Sequence, residues 1–325
     1  MKQQNYAFMI NIRSLLEVDS FQLAKEHELR RANGDEIEGI KRTVERLGAG
    51  MLFDYGLWED PLEASPLSSP TDHRVSVDRL ERVGFSLPKE DWRYYVVAYN
   101  GNNAVLNELT NAFNLSSLEL EVGFTVSHTD LGAGPQESII WNPSRLFHVL
   151  EGAKWTSDFL VDVSPAAVPE ALSTYTSLRD YDHAVLNLHM VLLQMRHLKA
   201  LPHTSPLRFL GYFGILESLL THNPKPTDTI DSITRQVRTK LKLLNRRFAD
   251  AINYSGFEAN ADTVWKRMYG YRSVIAHGGT ANFEHGELAV LKSPTQAMAL
   301  LKHTTKALIR HTLNEPQLIL DLREC

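Results

Sequence analysis

The stretch that decides the fold of the second half of this chain is WKRMYGYRSVIAHGG, residues 265–279. Four positions recur there at spacings of three and four, as on one face of an α-helix: Trp265, Met268, Arg272 and Ile275. Two glycines follow His277, and glycine is the residue that most often ends a helix. We therefore predict a helix over about 262–276 that carries Arg272 on or beside its buried face.

Arg272 and His277 lie five positions apart where this helix is predicted to end. Arginine is a permanent cation that can stabilise charge developing on a phosphate, and histidine can transfer protons near neutral pH. The pair could cleave RNA without a metal ion. The alternative is structural, because the helix dipole favours cationic side chains at a C-terminus. We interpret the similar pair Arg196 and His203 in that structural way, because His203 lies in a turn beyond Pro202.

The runs around this stretch predict an all-α helical bundle over residues 170–325. Apolar residues recur at helical spacing along Leu207–Leu220 and again from Ile233 to Phe248. Two further helices are predicted at Leu178–Leu201 and Pro294–Leu313. Short connections join these helices, which favours antiparallel neighbours in a bundle.

The first half, residues 1–165, is predicted to form a separate α+β domain. Short β-prone or alternating runs predict strands at 6–12, 92–99, 118–126 and 139–141. A helical stretch is predicted around 21–47 with an interruption near Asn33, and the proline-rich segment 60–72 is predicted as a loop. The segment 164–169 contains two prolines and no periodicity, so we place the domain junction there.

Composition limits the classes of protein that this chain can belong to. It is 43% hydrophobic and 22% charged, which is ordinary for a globular protein. No apolar run approaches the roughly 20 residues that span a bilayer, and the N-terminus lacks the apolar core of a signal peptide. The single cysteine, Cys325, excludes an intrachain disulfide and a Cys-based zinc site. We expect a cytoplasmic protein with no membrane contact and no metal or other cofactor.

Charge is distributed unevenly along the chain, whose net charge is −5. Residues 1–165 hold 15 Lys and Arg against 25 Asp and Glu, whereas residues 166–325 hold 19 against 14. The segment 235–247 contains six basic residues and no acid. Four of them recur at helical spacing and could follow an RNA backbone: Arg235, Arg238, Lys242 and Arg246. The alternative is an ordinary solvated helix face.

The string Tyr-x-x-Arg-Ser-x-Ile-x-His-Gly at residues 269–278 resembles the Arg/His signature of the HEPN superfamily, especially its ApeA-like branch. The similarity extends back to FGILESLL, residues 213–220, and covers roughly 170–325. The resemblance implies a helical domain that dimerises and brings two Arg/His motifs together in one cleft. Many members cleave RNA without metal, often as toxins or effectors of antiviral defence in prokaryotes.

The resemblance also implies roles for individual residues. Arg272 would contact the scissile phosphate, His277 would act in acid–base transfer, and Glu217 would orient Arg272. Ser273 departs from the pattern, because catalytic members often have Asn, Asp or His directly after the arginine. A serine hydroxyl can still donate or accept a hydrogen bond in that place.

Two hypotheses follow from these observations. The first is a metal-independent endoribonuclease that acts as a homodimer in prokaryotic antiviral defence and leaves 2′,3′-cyclic phosphate ends. Its first half would bind a phage-derived or cellular trigger, cover the basic cleft or position the substrate. The second is a non-catalytic dimerisation or nucleic-acid-binding module that regulates a partner protein, as some members of the superfamily are.

Overall fold

The computed structural model describes residues 4–48, 56–59, 87–100, 103–130, 135–141, 160–202, 205–222 and 232–325. The chain forms two compact units. The first unit comprises residues 1–101 and 120–165, and the second comprises residues 102–119 and 166–325. Within the described ranges, none of the helices has the length and apolar composition that crossing a bilayer requires.

The first unit is built on β-sheets. Its strands are β1 (Asn5–Met9), β2 (Ile12–Leu15), β3 (Ser20–Ala24), β4 (His27–Arg31), β5 (Tyr95–Tyr99), β6 (Val122–Asp130), β7 (Pro135–Trp141) and β8 (Val161–Val163). Six strands form an antiparallel sheet in the order β3-β4-β5-β1-β6-β7, and β2 pairs with β8 in parallel. The predicted α+β character of this half is therefore confirmed.

Helix α1 (Gly34–Arg46) contributes to the core of the first unit, and the short helix α2 covers Gly56–Glu59. The Asn33 side chain accepts a hydrogen bond from the backbone of Glu36, whose carboxylate accepts one from the backbone of Asn33. This reciprocal cap fixes the start of α1. Its buried Ile37, Ile40 and Val44 belong to the same apolar cluster as Phe8.

The predicted helical stretch around 21–47 is wrong in its first part. Residues 20–31 form a hairpin, in which Phe21 pairs with Leu29, and β4 also pairs with the buried strand β5. Pairing with a distant strand overrides the local preference, which is the reason a periodicity argument fails there. The predicted loop at 60–72 lies outside the described residues.

The second unit is built of helices. They are α3 (Asn103–Leu115), α4 (Val168–Arg179), α5 (His189–Lys199), α6 (Pro206–Leu220), α7 (Ile233–Leu244), α8 (Ala261–Ala276), α9 (Pro294–Asn314) and α10 (Pro316–Glu324). Helix α6 packs against α5, α7, α8, α9 and α10, and its Phe209, Tyr212, Phe213, Ile215 and Leu216 are almost completely buried. The predicted helices at 207–220, 233–248, 262–276 and 294–313 are confirmed in outline.

The predicted single helix at 178–201 is wrong, because residues 180–188 are not helical between α4 and α5. The Asp182 carboxylate accepts a hydrogen bond from the backbone of Ala184, and the Asn187 side chain accepts one from the backbone of His189. Asp and Asn side chains that bond to nearby backbone N–H groups compete with helix formation.

Helix α3 lies in the helical unit, although the sequence places it in the first domain. Leu115 belongs to the helical core, and Glu119 forms ion pairs with Lys302 and Lys306 of α9. The Lys306 ammonium also donates to the carbonyl of Ser116, at 2.8 Å. The predicted division at residue 165 therefore misses a segment that crosses into the second unit.

Replacing Glu119 by glutamine is expected to destabilise the protein by about 3 kcal/mol at pH 7, because it leaves the buried Lys306 without its carboxylate. Burial would raise the pKa of Glu119, but Lys306 and Lys302 outweigh it and hold the pKa well below its usual value. A carboxylate whose pKa is lower in the folded protein than in the unfolded chain stabilises the fold at pH values above its unfolded pKa. This stabilisation is lost as the pH falls toward the folded pKa. The difference between parent and variant in urea denaturation should therefore shrink below about pH 4, and a difference independent of pH would contradict this account.

Candidate functional site

Helix α8 presents the Arg/His motif, and both of its ends are defined by specific hydrogen bonds. At the start, the Asn260 side chain accepts a hydrogen bond from the backbone of Thr263, at 2.9 Å. At the end, the Gly279 N–H donates to the carbonyl of Val274 at 2.8 Å, and the Gly278 N–H donates to that of Ile275 at 3.1 Å. These bonds define a Schellman motif, which places the exposed His277 at the C-cap.

Gly278→Ala is expected to destabilise the protein by about 1 kcal/mol, because Gly278 has a φ of 68° that is unfavourable for an L-residue. A Cβ atom at Gly278 meets no atom within 4 Å, so the cost arises from the backbone alone. Thermal denaturation measures the effect. Gly214→Ala is the matched control, because Gly214 lies inside α6 with equal space, where alanine stabilises a helix by up to about 1 kcal/mol. Equal shifts for both variants would contradict the assignment.

The Arg272 guanidinium is held by a carboxylate from α6. Its Nη2 donates to Glu217 Oε2 at 3.2 Å, and its Nε lies 3.2 Å from Glu217 Oε1. The Arg272 side chain remains 35% exposed, whereas that of Glu217 is 18% exposed. The pair fixes one edge of the guanidinium and leaves its other N–H groups for an external anion. The structure thus brings Glu217 and Arg272 together, while their roles in RNA cleavage stay predictions.

Tyr269 completes this cluster, and the sequence assigned no role to it. Its hydroxyl donates to Glu217 Oε1, and its ring lies 5.6 Å from the Arg272 guanidinium carbon. Burial, reinforced by the Glu217 carboxylate, raises the pKa of the Tyr269 hydroxyl above its ordinary value, so the hydroxyl stays protonated. The Thr234 side chain, in the first turn of α7, lies near the same hydroxyl and partly opposes this rise in the pKa. The sequence carried two signals for Tyr269: its three-residue spacing from Arg272, and its place at the start of the string that resembles the HEPN signature.

Tyr269→Phe is expected to destabilise the protein by about 1.5–3 kcal/mol, because it removes a hydrogen bond to a charged carboxylate. If Arg272 is a functional cation, the variant should also lose part of any activity that depends on it. Tyr271→Phe is the matched control. Tyr271 packs against Phe209 and Phe283, and its hydroxyl has no hydrogen bond to another described residue. Chemical denaturation measures the loss of stability of each variant. Equal losses in the two variants would contradict the role of Tyr269.

No hydrogen bond joins Arg272 to His277 within one chain. Positions five apart on an α-helix differ by about 140° around the axis. Among the described residues, the His277 imidazole has no hydrogen-bond or ion-pair partner, and the adjacent Ser273 is exposed. His277 is therefore free to contact a ligand or a second protein surface.

The basic residues of α7 and of the turn after it differ in exposure. Arg235 and Lys242 of α7 are exposed, and so is Arg246, two residues beyond the end of the helix. Arg238 forms an ion pair with Asp262, with its Nε 2.9 Å from Oδ1, at the first turn of α8. Thr234 precedes Arg238 along α7, whereas Tyr269 follows Asp262 along α8, so the two helices run antiparallel. Asp262 reduces the positive charge that Arg238 was predicted to offer to RNA.

No family model, curated protein or solved structure matches this chain. The resemblance to the HEPN superfamily therefore rests on the residues of α6 and α8 themselves.

Proposed function

We propose that this protein is a metal-independent endoribonuclease that acts as a homodimer. The observation that carries the proposal is the Arg272 guanidinium, held on one edge by Glu217 and partly exposed on the other. The exposed His277 lies at the end of the same helix. Arg235 and Lys242 on the neighbouring helix, and Arg246 just beyond its end, supply exposed positive charge along which an RNA backbone can lie.

The chemistry of the proposed reaction is an internal transfer at phosphorus. A His277 imidazole takes the proton from the ribose 2′-hydroxyl, and the 2′-oxygen attacks the phosphorus. The bond from phosphorus to the 5′-oxygen breaks, and that oxygen receives a proton from an imidazolium. Arg272 stabilises the negative charge on the phosphoryl oxygens. A homodimer brings two His277 side chains to one cleft, so that one acts as base and the other as acid.

We place this activity in prokaryotic antiviral defence, with a cytoplasmic toxin or effector that cleaves RNA. In that role the first unit binds a phage-derived or cellular trigger. Cell growth after induction of the full chain should then be compared with that of a His277→Ala variant. A fragment 166–325 is a poor reagent for this question, because it lacks the segment 102–119 of its own unit.

Incubation of the purified full chain with total cellular RNA in EDTA tests the proposed reaction. We expect cleavage without Mg²⁺, products with 2′,3′-cyclic phosphate ends, and a dimer by light scattering. Products that carry only 5′-phosphate ends, or a strict need for Mg²⁺, would exclude this mechanism.

A second function is favoured by the carboxylates that pair with the arginines of the candidate site. Glu217 neutralises Arg272, Asp262 neutralises Arg238, and Ser273 replaces the residues frequent in catalytic relatives. A non-catalytic dimerisation or nucleic-acid-binding module that regulates a partner protein needs no exposed acid–base pair. In that case, Arg272→Ala and His277→Ala proteins dimerise and retain full activity in cells.

A further inference from the structure

The second unit contains a pocket of 520 Å³ that is separate from the Arg272 cluster. Its lining comes from α4, from residues 247–250 after α7, and from α9 together with Glu315. Thr234, which contacts the Arg272 cluster, lies in the first turn of α7, whereas the pocket begins beyond the last turn. The part of α7 that follows Thr234 separates the two places by about 15 Å, at about 1.5 Å per residue.

His311 is a buried polar group of this pocket. The residue is 6% exposed, and its Nε2 has no hydrogen-bond partner among the described residues. The nearest carboxylate oxygen, Glu315 Oε1, lies 3.8 Å away, which is too far for a hydrogen bond. Burial lowers the pKa of His311, so the neutral imidazole offers one N–H donor and one acceptor. A buried polar atom without a hydrogen bond destabilises the fold unless a ligand or a water molecule forms that bond.

The charges of the pocket favour a ligand that donates hydrogen bonds. The described residues that line it include three carboxylates, Glu170, Asp250 and Glu315, and two guanidinium groups. Arg310 forms an ion pair with Glu170, and its Nη2 lies 3.9 Å from Asp250 Oδ2. The Nη2 of Arg247 lies 2.6 Å from Glu315 Oε2. Because both guanidinium groups already face carboxylates, a phosphate inside the pocket would meet net negative charge. Hydroxyl and amine donors suit Asp250 and Glu315 instead.

The pocket also offers an aromatic contact and an appropriate size. Phe248 packs edge-on against the His311 ring, with ring centroids 5.6 Å apart. Flat heteroaromatic rings stack on such groups, and carboxylates commonly accept hydrogen bonds from ribose hydroxyls. The volume falls within the range of small-molecule sites, about 300–1,000 Å³. Two further exposed cations lie outside the pocket: Arg246, which directly precedes Arg247, and Lys242 in the last turn of α7.

We propose that this pocket binds a ribonucleoside unit. The base contacts His311 and Phe248, the ribose hydroxyls donate to Asp250 or Glu315, and any attached phosphate lies outside, toward Arg246 and Lys242. The same chemistry can come from a free nucleotide or from one nucleotide of an RNA strand that follows α7. The proposal concerns binding alone, so it stands or falls independently of RNA cleavage.

Calorimetry on the full chain carrying His277→Ala, which is expected to slow any cleavage, tests the proposal. The probes are adenosine, guanosine, cytidine, uridine and their 2′-deoxy counterparts. We expect at least one ribonucleoside to bind, and its deoxy counterpart to bind at least about tenfold more weakly, because a carboxylate then loses its donor. Glu315→Gln and Asp250→Asn should each weaken binding by a similar factor.

Two controls keep the result interpretable. Glu258→Gln removes an exposed carboxylate paired with Lys292, away from the pocket lining, and should leave binding unchanged. Asp250 is 62% exposed, so its variant folds even if Glu315→Gln does not. The proposal is overturned if no ribonucleoside binds, if deoxynucleosides bind equally well, or if the folded Asp250 variant binds like the parent.

A further measurement distinguishes the two sources of the ligand. An RNA trinucleotide is compared with the ribonucleoside 5′-monophosphate of the preferred base. If an RNA strand is the ligand, the trinucleotide should bind at least about tenfold more tightly than the monophosphate. Lys242→Ala and Arg246→Ala should remove this gain, because the contacts of both side chains with the strand are electrostatic. A free nucleotide as the ligand predicts that the monophosphate binds at least as tightly. Either result supports the ribonucleoside assignment.

Discussion

The His277→Ala protein is expected to cleave RNA about 10²–10⁴-fold more slowly than the parent, which is the usual contribution of one acid–base group. The imidazole is exposed at the C-cap of α8 and has no hydrogen-bond or ion-pair partner among the described residues. Its removal should therefore cost little stability, about 0.3–1 kcal/mol from the helix dipole. Initial rates on one defined RNA in EDTA, with thermal denaturation alongside, measure both quantities.

His285→Ala is the matched control, because His285 is also exposed and lies eight positions beyond His277. We expect it to cleave RNA at the parental rate. If both histidine variants retain the parental rate while the parent cleaves RNA, His277 is not the acid–base group. If the parent also fails to cleave any RNA, the regulatory module becomes the better description of the second unit.

The part of the fold that follows from sequence is the part held by local periodicity. Helices α6, α7, α8 and α9 each carry an apolar stripe that faces a shared core, so spacing alone locates them. The hairpin at 20–31 depends on pairing with β5, which is more than sixty residues away. The position of α3 likewise depends on Lys302 and Lys306, which are distant in sequence from Glu119. Such long-range partners leave no local pattern.

The candidate site divides in the same way. The spacing of Arg272 and His277 and the two glycines after them were readable, because a helix end is a local event. The contact of Glu217 with Arg272 spans 55 positions and entered only through a family resemblance. Neither the hydrogen bond from Tyr269 nor the neutralisation of Arg238 by Asp262 could be read from spacing. Both contacts depend on which helices pack against α8 in the folded protein.

Arg272→Ala is expected to lower RNA cleavage by about 10²–10³-fold, the usual effect of removing one group that stabilises a developing anion. It should also destabilise the protein by about 1–3 kcal/mol, because the largely buried Glu217 loses the cation that is paired with its carboxylate. Arg272→Lys retains the cation but not the planar fork that meets both oxygens of Glu217, so we expect intermediate values of both quantities. Rate and stability are measured on the same preparations.

Arg267→Ala is the matched control, because Arg267 lies on the same helix and forms an ion pair with the exposed Glu287. It should leave the cleavage rate unchanged. A double-mutant cycle with Glu217→Gln then separates catalysis from structure. If Glu217 orients Arg272 for catalysis, the coupling appears in the cleavage rate as well as in the free energy of unfolding, at about 0.5–3 kcal/mol. A coupling confined to unfolding would make the pair a structural ion pair, and the phosphate would then need another cation.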